Sequence, residues 1–155
     1  PPRRVTVSTV GLVPQMRRLL RETKVNLTIS LTATCDEVRY SLMPVNKRYP
    51  LAVIMDVCRT QERKSRKRIT FAYTLLRDVN DSPRDARRLV SLLHGVQAKV
   101  NLIPFNSFTG TPFRASSREA VLRFRQVLLD KGVYAAIRES RGEDVQAACG
   151  QLAAA

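Results

Sequence analysis

Arg68-Ile69-Thr70-Phe71-Ala72-Tyr73-Thr74-Leu75-Leu76 is the stretch that decides the fold. Its β-branched and aromatic residues predict a strand. The motif Asn80-Asp81-Ser82-Pro83 follows and predicts a helix start, with Ser82 as the cap and Pro83 at the first helical position. A further strand is predicted at Lys99-Val100-Asn101-Leu102-Ile103-Pro104. Strand, helix and strand in this order are typical of parallel strands with a helical crossover.

The same alternation of strands and helices continues on both sides of this unit. Upstream we expect strands at residues 4–9 and 25–31, a helix that starts near Pro14 and another after Pro50. Between the last two, Asp36 or Thr34 is expected to cap a short helix. Downstream, Ser116 or Ser117 is expected to cap a helix that Gly132 closes, before a last strand at 133–137. The sequence therefore predicts an α/β fold with a parallel sheet.

The number of strands indicates part of a barrel. A complete eight-stranded (β/α) barrel takes about 250 residues, whereas this chain has 155 residues and only the strands predicted above. We therefore expect a partial parallel (β/α) barrel whose first strands are missing.

The charge of the chain points to a polyanionic partner. Lys and Arg number 27 against 13 Asp and Glu, which gives a net charge of +14. Such a surplus favours RNA or DNA over an acidic membrane surface, and no apolar run is long enough to span a bilayer. The alternative is a basic surface that only maintains solubility.

The cysteines are Cys35, Cys58 and Cys149, and the one histidine is His94. No C-x-x-C pair occurs, so a zinc site within this chain is not expected, and the wide spacing is typical of free thiols in a reducing compartment. Cys149 lies among small residues, with Arg138 and Arg141 upstream. A nearby guanidinium would favour its reactive thiolate, although a cysteine among alanines can also be inert packing.

A basic decapeptide runs from Arg59 to Arg68 and holds six basic residues and one acid. We expect a solvated loop or a frayed helix end there. One hypothesis is that it contacts RNA phosphates without sequence specificity, and the alternative is a solvated segment without a partner. The candidate contacts are Arg63, Lys64, Arg66, Lys67 and Arg68.

Neutral polar side chains follow several of the predicted strands. In parallel α/β folds, functional groups collect at the carboxyl ends of the strands. Hydroxyl and amide groups suit hydrogen bonds to a ribose, an amino acid or a nucleobase, but they offer no strong general base. Ordinary turn and cap residues would show the same pattern. The residues concerned are Ser8, Thr9, Ser30, Thr32 and Asn106.

Six motifs, in order, resemble one known family across essentially the whole chain. They are Val5-Thr6-Val7-Ser8-Thr9-Val10-Gly11, Asn26-Leu27-Thr28-Ile29-Ser30-Leu31, Leu42-Met43-Pro44-Val45-Asn46-Lys47, Val79-Asn80-Asp81-Ser82, Asn101-Leu102-Ile103-Pro104-Phe105-Asn106 and Ala147-Ala148-Cys149-Gly150-Gln151-Leu152. Together they are similar to the C-terminal part of the radical S-adenosylmethionine RNA adenine methyltransferases of the RlmN family. The Cfr-type resistance methyltransferases share several motifs, but the loop after Asn106 favours the RlmN group.

The resemblance implies S-adenosylmethionine and a 4Fe-4S cluster as cofactors. It implies that Cys149 is first methylated, that a 5′-deoxyadenosyl radical then removes hydrogen from this methyl group, and that the carbon radical adds to adenine C2 of large-subunit rRNA or tRNA. A second cysteine resolves the adduct. Residues that match S-adenosylmethionine contacts are Ser8, Ser30, Leu31, Thr32 and Asn106. The resemblance also implies a monomer in the cytoplasm, or in an organelle of a eukaryote, without membrane attachment.

The chain departs from the family in three features. The cluster motif Cys-x3-Cys-x2-Cys is absent from the sequence, and the family's Ser-Leu-His reads Ser30-Leu31-Thr32. The family also often has glutamate where Ala72 stands, although Cfr-type members can carry alanine there. Residues 1–155 are thus expected to be the C-terminal part of one catalytic domain, lacking the cluster-binding strand, the resolving cysteine and the N-terminal RNA-binding domain. Alone, the chain is expected to be inactive. The alternative function is a truncated, non-catalytic RNA-binding module; a metabolic barrel enzyme would leave the charge and the context of Cys149 unexplained.

Overall fold

The computed structural model describes residues 1–65 and 68–138, without the side chains of residues 3 and 62–65. The strands of this part are β1 (Thr6–Thr9), β2 (Asn26–Ser30), β3 (Ile69–Leu75), β4 (Ala98–Pro104) and β5 (Tyr134–Ile137). The α-helices are α1 (Val13–Glu22), α2 (Asp36–Leu42), α3 (Leu51–Ser65), α4 (Pro83–Leu92) and α5 (Arg118–Asp130). Short 3-10 turns lie at Pro2–Arg4 and Pro44–Lys47.

The strands form one parallel sheet in the order β1-β2-β3-β4-β5. Each crossover between neighbouring parallel strands is expected to be right-handed, and a series of such crossovers places every helix on the same face of the sheet. The other face carries no helix in the described part of the chain. This arrangement confirms the predicted α/β class and has the topology of an arc of a (β/α) barrel.

Strand β3 shows how the sequence divides the two faces. Its odd-numbered residues, from Ile69 to Leu75, are at most 2% exposed, whereas Thr70, Ala72 and Thr74 between them are half-buried. Because successive side chains of a strand point to opposite faces, the apolar set packs under the helices. The ring of Tyr73 lies 5.1 Å from that of Phe124 on α5, which joins the sheet to the helical layer.

The predicted helix starts are confirmed on α4 and α5. The Ser82 hydroxyl accepts from the Asp85 N–H, and the Asp85 carboxylate accepts from the Ser82 N–H, which forms a capping box. On α5 the cap is Ser117, which accepts from the Ala120 N–H, while Ser116 donates to Asp81.

The predicted cap of α2 is wrong. The residue at the cap position is Cys35, and no side chain caps this helix. The Asp36 carboxylate instead accepts from the Leu51 N–H at 2.9 Å. The Thr34 hydroxyl donates to Asp85 at 3.4 Å. Both candidate caps are therefore engaged by contacts to distant parts of the chain, which a local pattern does not reveal.

Helix α3 reaches further than the sequence suggested. It extends to Ser65, so the first residues of the basic decapeptide continue the helix. Its apolar face, with Ile54, Met55 and Cys58 fully buried, anchors the helix in the core. Tertiary packing of that face supports the polar turns that follow it.

Cys58 is sealed in this core, and burial raises the pKa of its thiol to about 12. We therefore expect no alkylation of Cys58 by iodoacetamide at pH 8 in the native protein, while half-buried Cys35 reacts. Peptide mass spectrometry after timed labelling measures both sites, and denatured protein is the control in which both react.

The same shift makes stability depend on pH. The pKa of the Cys58 thiol is 9.0 in the unfolded chain and about 12 in the folded protein. As pH rises, the unfolded state therefore loses its proton first. The contribution of Cys58 to the free energy of unfolding is therefore constant below pH 9 and falls as the pH rises toward about 12. Cys58→Ala should flatten that part of the curve of stability against pH, and an unchanged slope would contradict the assignment.

Candidate functional site at the carboxyl edge of the sheet

The face of the sheet without helices, called here the open face, is lined by polar and small side chains. The register aligns them in two rows. The lower row is Ser8, Thr28, Thr70, Lys99 and Tyr134. The upper row, nearer the carboxyl ends of the strands, is Ser30, Ala72, Asn101 and Ala136. Small residues in the upper row leave space on the sheet where larger side chains would fill it.

Asn101 is the residue of the upper row that sequence reasoning missed. It lies between Ala72 and Ala136 and is 9% exposed, and its Oδ1 atom is buried without a hydrogen-bond partner among the described residues. A buried polar atom without a partner is costly, so such atoms in native proteins need an explanation. The signal in the sequence was an amide within the apolar run Val100-Asn101-Leu102-Ile103.

Asn106 shows the same property just beyond the end of β4. It is half-buried, and its Nδ2 atom is buried without a partner in the described structure. Asn101 on β4 and Asn106 beyond its end thus each keep a hydrogen-bonding atom without a partner in the described structure. Each of these atoms is a candidate contact for a polar ligand.

The predicted contacts on β1 and β2 differ in what they offer a ligand. Ser8 is exposed in the lower row, and Ser30 is half-buried in the upper row at the end of β2. The offset of two residues on neighbouring strands separates their Cα atoms by about 8 Å. Leu31 is fully buried among the apolar core residues. Any contact made by Leu31 therefore comes from its main chain.

Thr32 has a left-handed backbone, with φ of 59°. Its carbonyl accepts from Asn80 Nδ2 at 2.6 Å. The same Nδ2 donates to the Thr74 carbonyl at 2.8 Å, and Asn80 Oδ1 accepts from the Leu76 N–H at 2.7 Å. One buried amide therefore ties the end of β2 to the end of β3, and it fixes the turn in which threonine stands in place of histidine.

Arg39 performs a similar role for β1 and β2. Its side chain is fully buried. Nη2 donates to the Val10 carbonyl at 2.6 Å and to the Ser30 carbonyl at 3.3 Å, and Nε donates to the Leu31 carbonyl at 3.1 Å. Through these bonds a single guanidinium holds the ends of both strands.

The charge of Arg39 is balanced indirectly. Nη1 donates to Asn46 Oδ1 at 2.8 Å, and Asn46 Nδ2 donates to the Asp36 carboxylate at 2.9 Å. Burial lowers the pKa of Arg39, and the nearby Asp36 carboxylate opposes that shift. The guanidinium stays charged, because arginine does not lose its proton in proteins.

Gly11 makes this arrangement possible. Its φ is 103°, and a Cβ atom there would lie 2.6 Å from Ile54 Cδ1 and 3.3 Å from Arg39 Nη2. A side chain there would press on the Ile54 side chain of α3 and crowd the guanidinium, and the positive φ would be strained for any residue with a Cβ atom. The Thr9 hydroxyl, which accepts from the Gly11 N–H at 3.1 Å, is used by this turn.

Several predicted residues are not placed by the structure. Cys149 lies outside the described residues, as do Arg66 and Lys67 and the side chains of Arg63 and Lys64. Arg68 is exposed directly before β3. Within the described ranges, no group of three or more histidine, cysteine or acidic side chains could hold a metal ion. In the same ranges, no helix is long and apolar enough to cross a membrane.

The fold matches that of solved structures. A radical SAM methyltransferase from Sphaerobacter thermophilus superposes with a TM-score of 0.93 at 46% identity, over 97% of this chain and 44% of that one. A domain of the pyruvate-formate lyase-activating enzyme from Bacteroides vulgatus superposes with a TM-score of 0.68 at 18% identity, over 86% of this chain and 80% of that one. The second likeness shows the fold alone. No protein-family model matches the chain.

Sequence relatives agree with the first structure. The dual-specificity RNA methyltransferase RlmN of Syntrophotalea carbinolica is 58% identical over 97% of this chain and 41% of that protein. The RlmN proteins of Anaeromyxobacter dehalogenans and Geobacter sulfurreducens are 55% and 53% identical over 98% and 97% of this chain, and over 41% and 42% of their own lengths.

Fold and sequence together define a segment of the radical S-adenosylmethionine methyltransferase class. Within that class the chain belongs to the RlmN family, as the ordered motifs predicted. It spans about two fifths of the length of the curated relatives that it matches.

Arg39→Lys tests how far the edge depends on the buried guanidinium. Lysine keeps the charge but cannot bridge carbonyls on two strands, so we expect the free energy of unfolding to fall by about 2–4 kcal/mol. Urea denaturation followed by circular dichroism measures the change. Arg17→Lys, at an exposed ion pair with Asp56, is the matched control and should leave the midpoint unchanged. Equal midpoints for both variants would contradict the role of Arg39.

Proposed function

We propose that the natural protein carrying this chain transfers a methyl group to adenine C2 of large-subunit rRNA and of tRNA. The observation that supports this most is the 58% identity to a dual-specificity RNA methyltransferase over 97% of the chain. The net charge of +14 suits an RNA substrate. The protein is proposed to act as a monomer in the cytoplasm.

The open face fits S-adenosylmethionine as cofactor. Asn101 Oδ1 and Asn106 Nδ2, which have no partner among residues 1–65 and 68–138, supply one acceptor and one donor. Ser30 adds a hydroxyl in the same row as Asn101. The adenosine and amino-acid parts of the cofactor carry matching hydroxyl, amine and carboxylate groups. When bound, S-adenosylmethionine supplies the methyl group and the adenosyl fragment for radical chemistry.

The predicted contacts are assigned on this basis. We propose side-chain contacts from Ser30, Asn101 and Asn106 and a main-chain contact from Thr32. Leu31 is left out of this assignment, because its N–H donates to the Ala72 carbonyl and its carbonyl accepts from Arg39 Nε and from the Ala33 N–H. Ser8, one row lower, is proposed to contact the far end of the same ligand. The Asn80 and Arg39 bonds keep the carbonyls of this edge fixed, so that the contacts exist before the ligand arrives.

A 4Fe-4S cluster does not fit on the described residues. Cys58 is fully buried in the helical layer, and the three cysteines of the chain lie 23 and 91 positions apart. We propose that another part of the natural protein holds the cluster, and that residues 1–155 form the C-terminal part of one catalytic domain. No step of the reaction is assigned to a cluster ligand in this chain.

Cys149 is proposed as the catalytic residue of the chain. Its thiolate holds the methyl group as a thioether before the group reaches adenine. Adenine C2 is a poor nucleophile, and this is why the transfer takes a radical route. The thiol that releases the product is proposed to lie on another part of the protein, because Cys58 is sealed in the core and Cys35 lines a cleft of the helical layer.

Substitution of the two asparagines tests the cofactor site. Asn101→Ala and Asn106→Ala each remove one hydrogen-bonding group, so we expect the dissociation constant for S-adenosylmethionine to rise about 10-fold. Isothermal titration calorimetry on the natural protein measures this constant. Ser107→Ala, an exposed neighbour, is the control and should bind as the wild type does. Unchanged affinity in both asparagine variants would remove them from the site.

Cys149→Ala tests the chemistry. We expect loss of methyl transfer to adenine with RNA affinity unchanged, because the residue acts on the methyl group and not on the RNA. Mass spectrometry of wild-type protein from its natural source should detect S-methylation of Cys149, and nuclease digestion of the RNA should yield 2-methyladenosine. RNA binding without either modification would favour the non-catalytic RNA-binding module.

A further inference from the structure

An open cleft lies on the outer surface of the helical layer, away from the open face of the sheet. Its volume is about 580 Å³, and four arginines line it. Arg84, Arg87 and Arg88 come from α4, and Arg59 comes from α3. These four residues are called the arginine groove.

The three arginines of α4 form one row. They stand at relative positions i, i+3 and i+4, so they share one face of the helix. All three are exposed. Within the described part of the chain, Arg84 and Arg87 form no ion pair, and Arg88 Nη1 lies 3.9 Å from the Asp85 carboxylate, at the limit of a contact. Most of the positive charge of the row is therefore available to a partner.

Arg59 is held in place at the other wall. Its Nη2 donates to the Leu92 carbonyl at 3.1 Å, and its Nε donates to the His94 carbonyl at 3.2 Å. These bonds fix the guanidinium against the end of α4. A fixed donor loses little conformational freedom when it meets an anion.

No acidic side chain lines the groove among the described residues. The carboxylate of Asp85, on the same helix, already accepts hydrogen bonds from Ser82 and from Thr34. Arg84 and Arg87 also stand in the first half of α4, at the positive end of the helix dipole. The arginines repel one another and are repelled by the positive end of the helix dipole. An anion bound in the groove would reduce both repulsions.

The groove is shaped for a chain of anions. Arg84 and Arg88 are separated by about 6 Å along the helix axis, and the groove continues past them to Arg59. Its upper end is formed by Thr34 and Cys35, which follow the carboxyl end of β2. A strand of nucleic acid in the groove would thus run toward the edge that carries the proposed cofactor contacts.

We propose that the arginine groove binds the phosphate backbone of the RNA substrate and guides its adenine to the carboxyl edge of the sheet. This inference rests on the proposed function for the identity of the polyanion. Phosphate contacts of this kind add affinity and fix the register of the RNA, but they carry no sequence information. The contact of Arg63, Lys64, Arg66, Lys67 and Arg68 with RNA stays a prediction from the sequence.

The test is an RNA-binding measurement on the natural protein. The variant is Arg84→Gln/Arg87→Gln/Arg88→Gln, which leaves the Ser82–Asp85 capping box and Arg59 intact. The matched control, Arg17→Gln/Arg18→Gln/Arg21→Gln on α1, removes the same charge from exposed positions. The probe is a short RNA hairpin with adenines in its loop, followed by fluorescence anisotropy without S-adenosylmethionine over a range of salt concentrations.

We expect the groove variant to bind the hairpin at least about 10-fold more weakly than wild type, and its slope of log K against log salt to fall by about 2 to 3. The α1 control should keep the affinity and slope of wild type. Equal losses in both variants, or no loss in the groove variant, would overturn the proposal. Binding to vesicles of anionic phospholipid is measured for the same proteins. If the groove variant loses vesicle binding but keeps RNA binding, while the control keeps both, the groove binds lipid headgroups and the proposal is overturned.

Two further measurements make the outcome unambiguous. Circular dichroism and the melting temperature check that the triple variant folds. If it does not fold, the exposed single variant Arg87→Glu replaces it. Arg87→Lys, which keeps the charge, is then expected to bind the hairpin more tightly than Arg87→Glu. Methylation is measured separately at RNA concentrations below the dissociation constant, where the groove variant should lose methylation in proportion to its loss of RNA affinity. Wild-type protein that binds the hairpin through the groove but forms no 2-methyladenosine would refute the proposed function and leave the groove assignment standing.

Discussion

A buried positive charge holds the functional edge of this sheet together. The guanidinium of Arg39 has no exposed surface and makes its hydrogen bonds to main-chain carbonyls of β1 and β2 and to Asn46. Burial of a charge is tolerated only when its donors are satisfied. The structure around Arg39 is therefore constrained: Gly11 must lack a side chain, and the 3-10 turn at Pro44–Lys47 must present Asn46.

The two faces of the sheet have different roles, since one supplies the stability of the fold and the other carries the candidate site. On the helical face, packing of apolar side chains such as Phe71 and Leu102 supplies the core. On the open face, the alanines and the unpartnered asparagine of the upper row contribute little packing. Polar atoms left without partners cost stability, and this cost is offset by the core on the other side. Arg39 and Asn80 connect the two faces because they order the strand ends from the helical side.

The sequence was sufficient for the elements and for the family, but not for the contacts that hold the site. The strands and the cap at Ser82 could be predicted because alternation and capping are local patterns. The burial of Arg39 could not be predicted, because an arginine in Asp36-Glu37-Val38-Arg39-Tyr40 has the pattern of a solvent-facing position. Its partners come from β1, β2 and the turn at Asn46, so only the assembled fold defines its environment. Likewise, Leu31 was a predicted contact, but its side chain proved to belong to the core.

The two lateral edges of the sheet have a consequence for handling the chain by itself. In the described structure β1 pairs only with β2, and β5 pairs only with β4, so each presents a row of main-chain groups without a neighbouring strand. Such rows recruit other strands and promote aggregation unless they are covered. Tyr134 on β5 is half exposed, and Val5, which precedes β1, has a similar exposure. Neither strand contains a charged residue or a proline, the residues that discourage pairing at a sheet edge. Recombinant production of this segment alone should therefore yield oligomers and inclusion bodies, and co-expression with a complementary segment that supplies a pairing strand is the rational route to soluble material.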